Sequence, residues 1–154
     1  MMMYGYLVSP YVLPVRQNTG VAKRRFARDD NSYGELGLGI NDKTVSYPRL
    51  CTNLKAKKVA TGYYYTILID LDNNVWSTGS NKNGQLGLGS DLHTMILLIE
   101  IIGIKAKDVS IGIETTALID LDNNIWMFGK GKLGQLGIGS DLRATMLMIK
   151  VVQC

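Results

Sequence analysis

No run of 18 or more apolar residues occurs in this 154-residue chain, so no membrane-spanning helix is expected. Cysteine is scarce. Cys51 and Cys154 have no metal-ligand spacing and cannot build a disulfide framework, which suits a reducing, intracellular setting, nuclear or cytoplasmic. A lone histidine, His93, cannot make a metal site by itself. The apolar start, residues 1–14, is broken by Tyr and Pro and follows no basic stretch, so it does not read as a signal peptide. Glycine-rich segments are present, but no Gly-Lys-Ser or Gly-Lys-Thr follows them, so they do not read as phosphate-binding loops. Paired carboxylates occur at Asp70/Asp72 and Asp120/Asp122, where aspartate at a hairpin mouth is more simply a turn former. These absences leave no catalytic constellation, no cofactor and no metal to expect, and no enzyme activity.

What the chain has is a period. Gly84-Gln85-Leu86-Gly87-Leu88-Gly89 recurs fifty residues on at Gly134-Gln135-Leu136-Gly137-Ile138-Gly139, and fifty residues earlier as Gly34-Glu35-Leu36-Gly37-Leu38-Gly39. Gly62 and Gly112, Asp70 and Asp120, and Trp76 and Trp126 keep the same step. Laid over each other without gaps, residues 54–103 and 104–153 agree at 26 of 50 positions, counted directly from the sequence. A period of this size belongs to propellers, solenoids and arrays.

Within one period the pattern is that of strands. Residues 66–71 and 75–79 are β-formers around Asp72-Asn73-Asn74; since asparagine tolerates positive φ, a type I′ hairpin turn is expected there. Residues 117–121 and 125–129 repeat the hairpin. Residues 58–61 and 95–102, matched by 108–111 and 146–152, supply two further strands per period. About four short antiparallel strands per repeat is the composition of a propeller blade. The leucine within each glycine segment is placed to plug the core between neighbouring blades. No hairpin is readable in residues 1–25.

Gly79-Ser80-Asn81-Lys82-Asn83-Gly84-Gln85-Leu86-Gly87, with Gly62, the strand to Leu71, the turn and Val75-Trp76 before it, resembles the repeat of the regulator of chromosome condensation family. The resemblance implies an all-β fold, a partial β-propeller of about three four-stranded antiparallel blades. It divides the chain into a poorly matching segment, 1–28, and repeats over 29–154: 29–53 in part, then 54–103 and 104–154. The chain departs from the family at Tyr65 and Thr115, where the family has histidine, and at Asn74 and Asn124, read as replacing the turn glycine. The family's propellers have seven blades. About three leave open ends, to be covered by self-association or by a partner unless the chain is a truncated, non-functional copy of a larger propeller.

The resemblance implies a non-enzymatic interaction platform, binding a protein partner of unknown identity or chromatin, with guanine-nucleotide exchange on a Ran-like small GTPase as the alternative. Candidate partner-binding residues are the loop residues Asp91 and His93 with their repeats Asp141 and Arg143, and the basic Lys23, Arg24 and Arg25. Lys55, Lys57, Lys58, Lys105 and Lys107 join them. A net charge of +4 allows weak nucleic-acid binding through such basic residues. Aromatic residues do not interleave with basic ones along the chain as in a base-stacking platform. No membrane partner is expected.

Overall fold

A computed structural model describes residues 11–14, 25–52, 54–89, 92–137 and 145–151. Among the described residues ten strands account for the regular structure: β1 Tyr11–Pro14, β2 Arg25–Asp30, β3 Thr44–Thr52, β4 Ala56–Thr61, β5 Tyr65–Asp70, β6 Asn74–Ser80, β7 Thr94–Ile111, β8 Thr115–Asp120, β9 Ile125–Gly129 and β10 Thr145–Val151. Every pairing is antiparallel between strands consecutive in the chain. The expected all-β class and the blades of a partial propeller are present. β4, β5, β6 and the first half of β7 form one blade; the second half of β7 with β8, β9 and β10 forms the next. β1, β2 and β3 form a separate three-stranded sheet, the described part of a first blade.

The two strands expected at 95–102 and 108–111 are one continuous strand, β7. Its pairing passes from β6 to β8 between Lys105, opposite Asn74, and Ala106, opposite Asp120. Gly103, at φ 91, lies just before this change of partner.

The first blade does contain a hairpin. β1 pairs with β2 from Tyr11↔Arg28 to Pro14↔Arg25, which leaves the ten residues 15–24 between the strand ends. In the second blade Ile69↔Val75 leaves the five residues 70–74. A step of fifty therefore aligns β2 and β3 with their repeats but misses β1.

The hairpin turns also differ from expectation. Among the described non-glycine residues, Asn73 and Asn123 have positive φ, at 69 and 67. The residues before them, Leu71-Asp72 and Leu121-Asp122, do not, so the turns are not type I′, which needs two such residues in a row. The left-handed position is thus Asn73 and Asn123, not Asn74 and Asn124. The Asn73 amide donates to the Asp70 carbonyl, as Asn123 does to Asp120.

One carboxylate organises each hairpin. Asp120 accepts from the amides of Asp122 and Asn124, from the Asn124 side chain at 2.8 Å, and from the Trp126 indole N–H at 2.8 Å. Asp70 does the same with Asp72, Asn74 and Trp76. The Trp126 donor, ahead of the opposing effect of burial, and the Asn124 donors hold the Asp120 carboxyl at about 2. For Asp70, burial pulls upward, but the Trp76 and Asn74 donors outweigh it and the carboxyl stays below its ordinary value. The first aspartate of each pair, Asp70 or Asp120, is thus a turn builder, and both tryptophans are held inside their own blades.

Gly79 and Gly129 permit the closest backbone approach. Each has φ near 108, and a Cβ there would stand 2.3 Å from the carbonyl oxygen of Tyr64 or Glu114. Those same carbonyls accept the Ser80 and Lys130 amides and close each blade's loop end.

Because the folded pKa of Asp120 is depressed from 3.8 to about 2, the stability it supplies is present above pH 3.8 and is lost as the pH falls through about 2. Asp120→Asn, which sets an amide against the indole N–H, is expected to lower Tm by several degrees at pH 6. The deficit should shrink towards pH 2, as thermal melts followed by circular dichroism will show.

Candidate interaction rim

Blades meet through a repeated set of contacts. The Thr66 hydroxyl donates to the Glu35 carbonyl of the preceding blade at 2.7 Å, and the Thr116 hydroxyl to the Gln85 carbonyl at 2.8 Å. Each glycine segment is fastened from within. The Asn81 side chain accepts from the Leu86 amide at 2.9 Å and donates to the Gly89 carbonyl; Asn31 accepts from Leu36 and donates to Ile40 and Asp42. This presents Leu86, wholly buried, to a core that includes Leu118 and Phe128 of the third blade. The leucine plug read from the sequence is therefore in place at this seam. Tyr65, where the family has histidine, crosses the same seam: its hydroxyl donates to the Thr115 carbonyl at 2.6 Å.

One seam residue breaks the repeat. Glu35 stands where Gln85 and Gln135 stand in later copies. All three accept an amide two residues back, from Tyr33, Asn83 and Leu133. Glu35 is 1% exposed, and its Oε1 has no hydrogen-bond partner. Burial pushes its carboxyl above the ordinary 4.5 against the two local amides, with Asp30 adding to the rise.

The loops fall on two rims. On one lie the glycine segments and the β4–β5 and β7–β8 loops at 62–64 and 112–114, joined by the Ser80 and Lys130 amide bonds described above. Here the positions that vary between blades gather. Tyr33 meets Tyr64 across the first seam, ring centroids 4.4 Å apart, and Tyr63 packs edge-on against Tyr64 at 4.2 Å. The Lys82 ammonium sits 5.0 Å from the Tyr33 ring centroid. Hydrogen bonding with Tyr63, then burial and neighbouring phenols and Asp30, push the Tyr64 hydroxyl up to about 12. At the second seam the equivalent pair is Asn83 and Glu114, amide to carboxylate at 3.0 Å, with Lys130 on Glu114 at 2.5 Å. Tyr63 is 42% exposed and its repeat Ile113 is 72% exposed.

The opposite rim carries the hairpin turns and lysines. Lys57 and Lys107 donate to the Asn73 and Asn123 side chains, and Lys105 to the Asp72 carbonyl. Lys58 instead bridges inner strands of successive blades through Asp108 at 2.5 Å.

The candidate residues from the sequence are not brought together. His93 is exposed on the glycine-loop rim, where its carbonyl accepts the Asn81 amide. Arg25 begins β2 opposite Pro14, at the hairpin end of the first blade and so on the other rim. Asp91, Asp141, Arg143, Lys23 and Arg24 lie outside the described residues. The tyrosine–lysine cluster was missed because its members stand at 33, 63–64 and 82, distant along the chain and joined only by blade packing. A signal was available in the repeat alignment: position 33 and its repeats hold Tyr, Asn and Leu, and positions 63–64 and 113–114 hold Tyr-Tyr and Ile-Glu.

This arrangement defines a segment of a β-propeller with loop-bearing rims. Residues 56–85 match the model of the regulator of chromosome condensation (RCC1) repeat. Among solved structures it is similar to human WBSCR16 (TM-score 0.72, 18% identity, 86% of this chain and 35% of that one). It is also similar to yeast RCC1 (Prp20) in its complex with Kap60 (TM-score 0.76, 16% identity, 84% and 33%). Prp20p of Saccharomyces cerevisiae, described with its binding properties to Gsp1p and histones, aligns at TM-score 0.72 and 22% identity over 96% of this chain and 36% of that one. The chain spans about a third of the length of these structures. Among curated proteins, none matches it in sequence.

Since the folded pKa of Glu35 is raised, its ionisation opposes folding: stability is fullest below pH 4.5 and declines as pH rises through the folded value. Glu35→Gln, the residue of the other repeats, is expected to raise stability at pH 8 by ~1 kcal/mol, the order of cost of a buried unpaired acceptor, and to change little at pH 4. Denaturant titration at the two pH values measures both.

Proposed function

We propose that this chain is a non-enzymatic interaction module whose glycine-loop rim receives a macromolecular partner, protein or chromatin. One observation carries the reading: the paired polar residues of successive repeats build the blades, while several surface positions that differ between blades lie on one rim. Asp70 and Asp120, Thr66 and Thr116, and Asn31 and Asn81 perform paired structural roles. Tyr33, Tyr63, Lys82 and Ile113 share no such common role. Aromatic and apolar side chains beside free charge are the composition of a binding hot spot. The likeness to Prp20p, whose described binding concerns Gsp1p and histones, supports the same kind of use. Guanine-nucleotide exchange on a Ran-like small GTPase remains the alternative.

Self-association belongs to the proposal. In the second blade Tyr65, Ile67 and Ile69 are fully buried beneath the third. Their repeats Thr115, Ala117 and Ile119 are only partly covered. A second copy seated there would complete that burial.

A photo-cross-linking side chain at position 63 or 113 is expected to yield discrete adducts with the partner, and one at 57 or 107 far fewer. The reverse pattern would overturn the choice of rim. Light scattering after gel filtration is expected to give a discrete dimer or trimer that Ile119→Asp converts to monomer; a monomeric parent chain removes self-association. Accelerated release of labelled GDP from a Ran-like GTPase would favour the alternative.

A further inference from the structure

The structure assigns a particular ligand class to the first seam: we infer that Tyr63 and Lys82, mounted on the Tyr33–Tyr64 pair, form a contact site for single-stranded nucleic acid. The inference rests on the platform reading above and deepens it by naming a partner.

Three tyrosines make a chain of ring contacts that includes one exposed ring. Tyr33 on the first blade meets Tyr64 on the second at 4.4 Å, tilted by 45°, and Tyr63 meets Tyr64 edge-on at 4.2 Å, so the exposed Tyr63 ring is held from its side by a neighbour. A ring held in this way loses little freedom when a flat partner stacks on its face, and any nucleobase offers a π-face for this. At the Tyr33 end of the cluster the Lys82 ammonium stands 5.0 Å from the ring centroid. Among the described residues no carboxylate lies within ion-pair distance of it. Of the described carboxylates on this side, Asp30 is engaged with the Ser32 amide and hydroxyl, Glu114 with Lys130 and Asn83, and Glu35 accepts the Tyr33 amide and is buried beneath the surface. With respect to the described residues Lys82 is thus left to meet a phosphate, and Lys132 repeats it, exposed, one blade further on.

The arrangement suits a strand rather than a free nucleotide. Lys82 meets the Tyr33 ring, and Tyr33 is joined to Tyr63 through Tyr64. On this proposal a base on Tyr63 and a phosphate at Lys82 belong to different nucleotides of one strand. The second seam lacks the platform, with Ile113 and Glu114 in place of Tyr63 and Tyr64, so the site is confined to the first.

Fluorescence anisotropy with a labelled dT12 oligonucleotide, titrated with the full chain at 50 mM salt, tests this. Binding is expected, weakened ~10-fold or more by Tyr63→Ala and kept within about twofold by Tyr63→Phe, which retains the ring. Lys82→Ala is expected to weaken binding severalfold and to lower the slope of log K against log salt by about one. Tyr63 and Lys82 are exposed, so both variants should fold, which circular dichroism will confirm. Absence of binding by the folded chain, or equal binding by Tyr63→Ala, overturns the inference; so does displacement of the oligonucleotide by dTMP at equal nucleotide concentration. The cross-linking pattern with a protein partner is read separately, so a loss here leaves the platform itself to be judged on its own result.

Discussion

A hydroxyl donated from one blade to a backbone carbonyl of the blade before it is the constraint on which this architecture depends. Thr66 reaches Glu35, and Thr116 reaches Gln85. Each bond fixes a glycine segment against its neighbour, and the segment in turn delivers a leucine into the seam. A buried carbonyl left without its donor is costly, so the threonine and the leucine support each other. Within a blade, the aspartate that gathers two amides, an asparagine side chain and an indole N–H plays the corresponding part. Everything on the rims is carried by these two devices.

Much of this was legible because the devices repeat. The fifty-residue step placed the glycine segments, both tryptophans and the paired aspartates, and the β-forming runs around Asp72-Asn73-Asn74 placed the hairpins. Three features were not legible, each for a physical reason. β1 was hidden because the first hairpin carries a ten-residue connection, which shifts the strand out of the step. β7 was divided in two because its change of partner, from β6 to β8, leaves no mark except a glycine. The turn type was misjudged because Asn73 and Asn74 look alike in sequence, while Asp70 Oδ1 accepts the Asn74 amide and leaves Asn73 in the left-handed conformation.

The rim shows a sharper limit. Polar residues such as His93 and Arg25 were natural candidates, yet they stand on opposite rims. The tyrosine cluster depends on positions some thirty residues apart becoming neighbours across a seam. Repeat alignment shows where copies differ, but only packing shows that the differences converge. Glu35 illustrates the same point from inside: a one-atom change from glutamine is unremarkable in sequence and becomes a buried acceptor without a partner once the seam closes.

The eighteen residues of β7 have a consequence for how the molecule bears force. Two blades that share a strand are coupled in series along one backbone, so tension entering at the second blade is passed to the third without crossing a loop. Peeling either blade from its outer edge must break the ladder of hydrogen bonds one pair at a time, whereas sliding the two blades apart loads many pairs of the ladder together. The pair should therefore yield readily to a pull at its free edge and resist one applied along the shared strand, behaving as a single mechanical unit with a preferred direction of weakness.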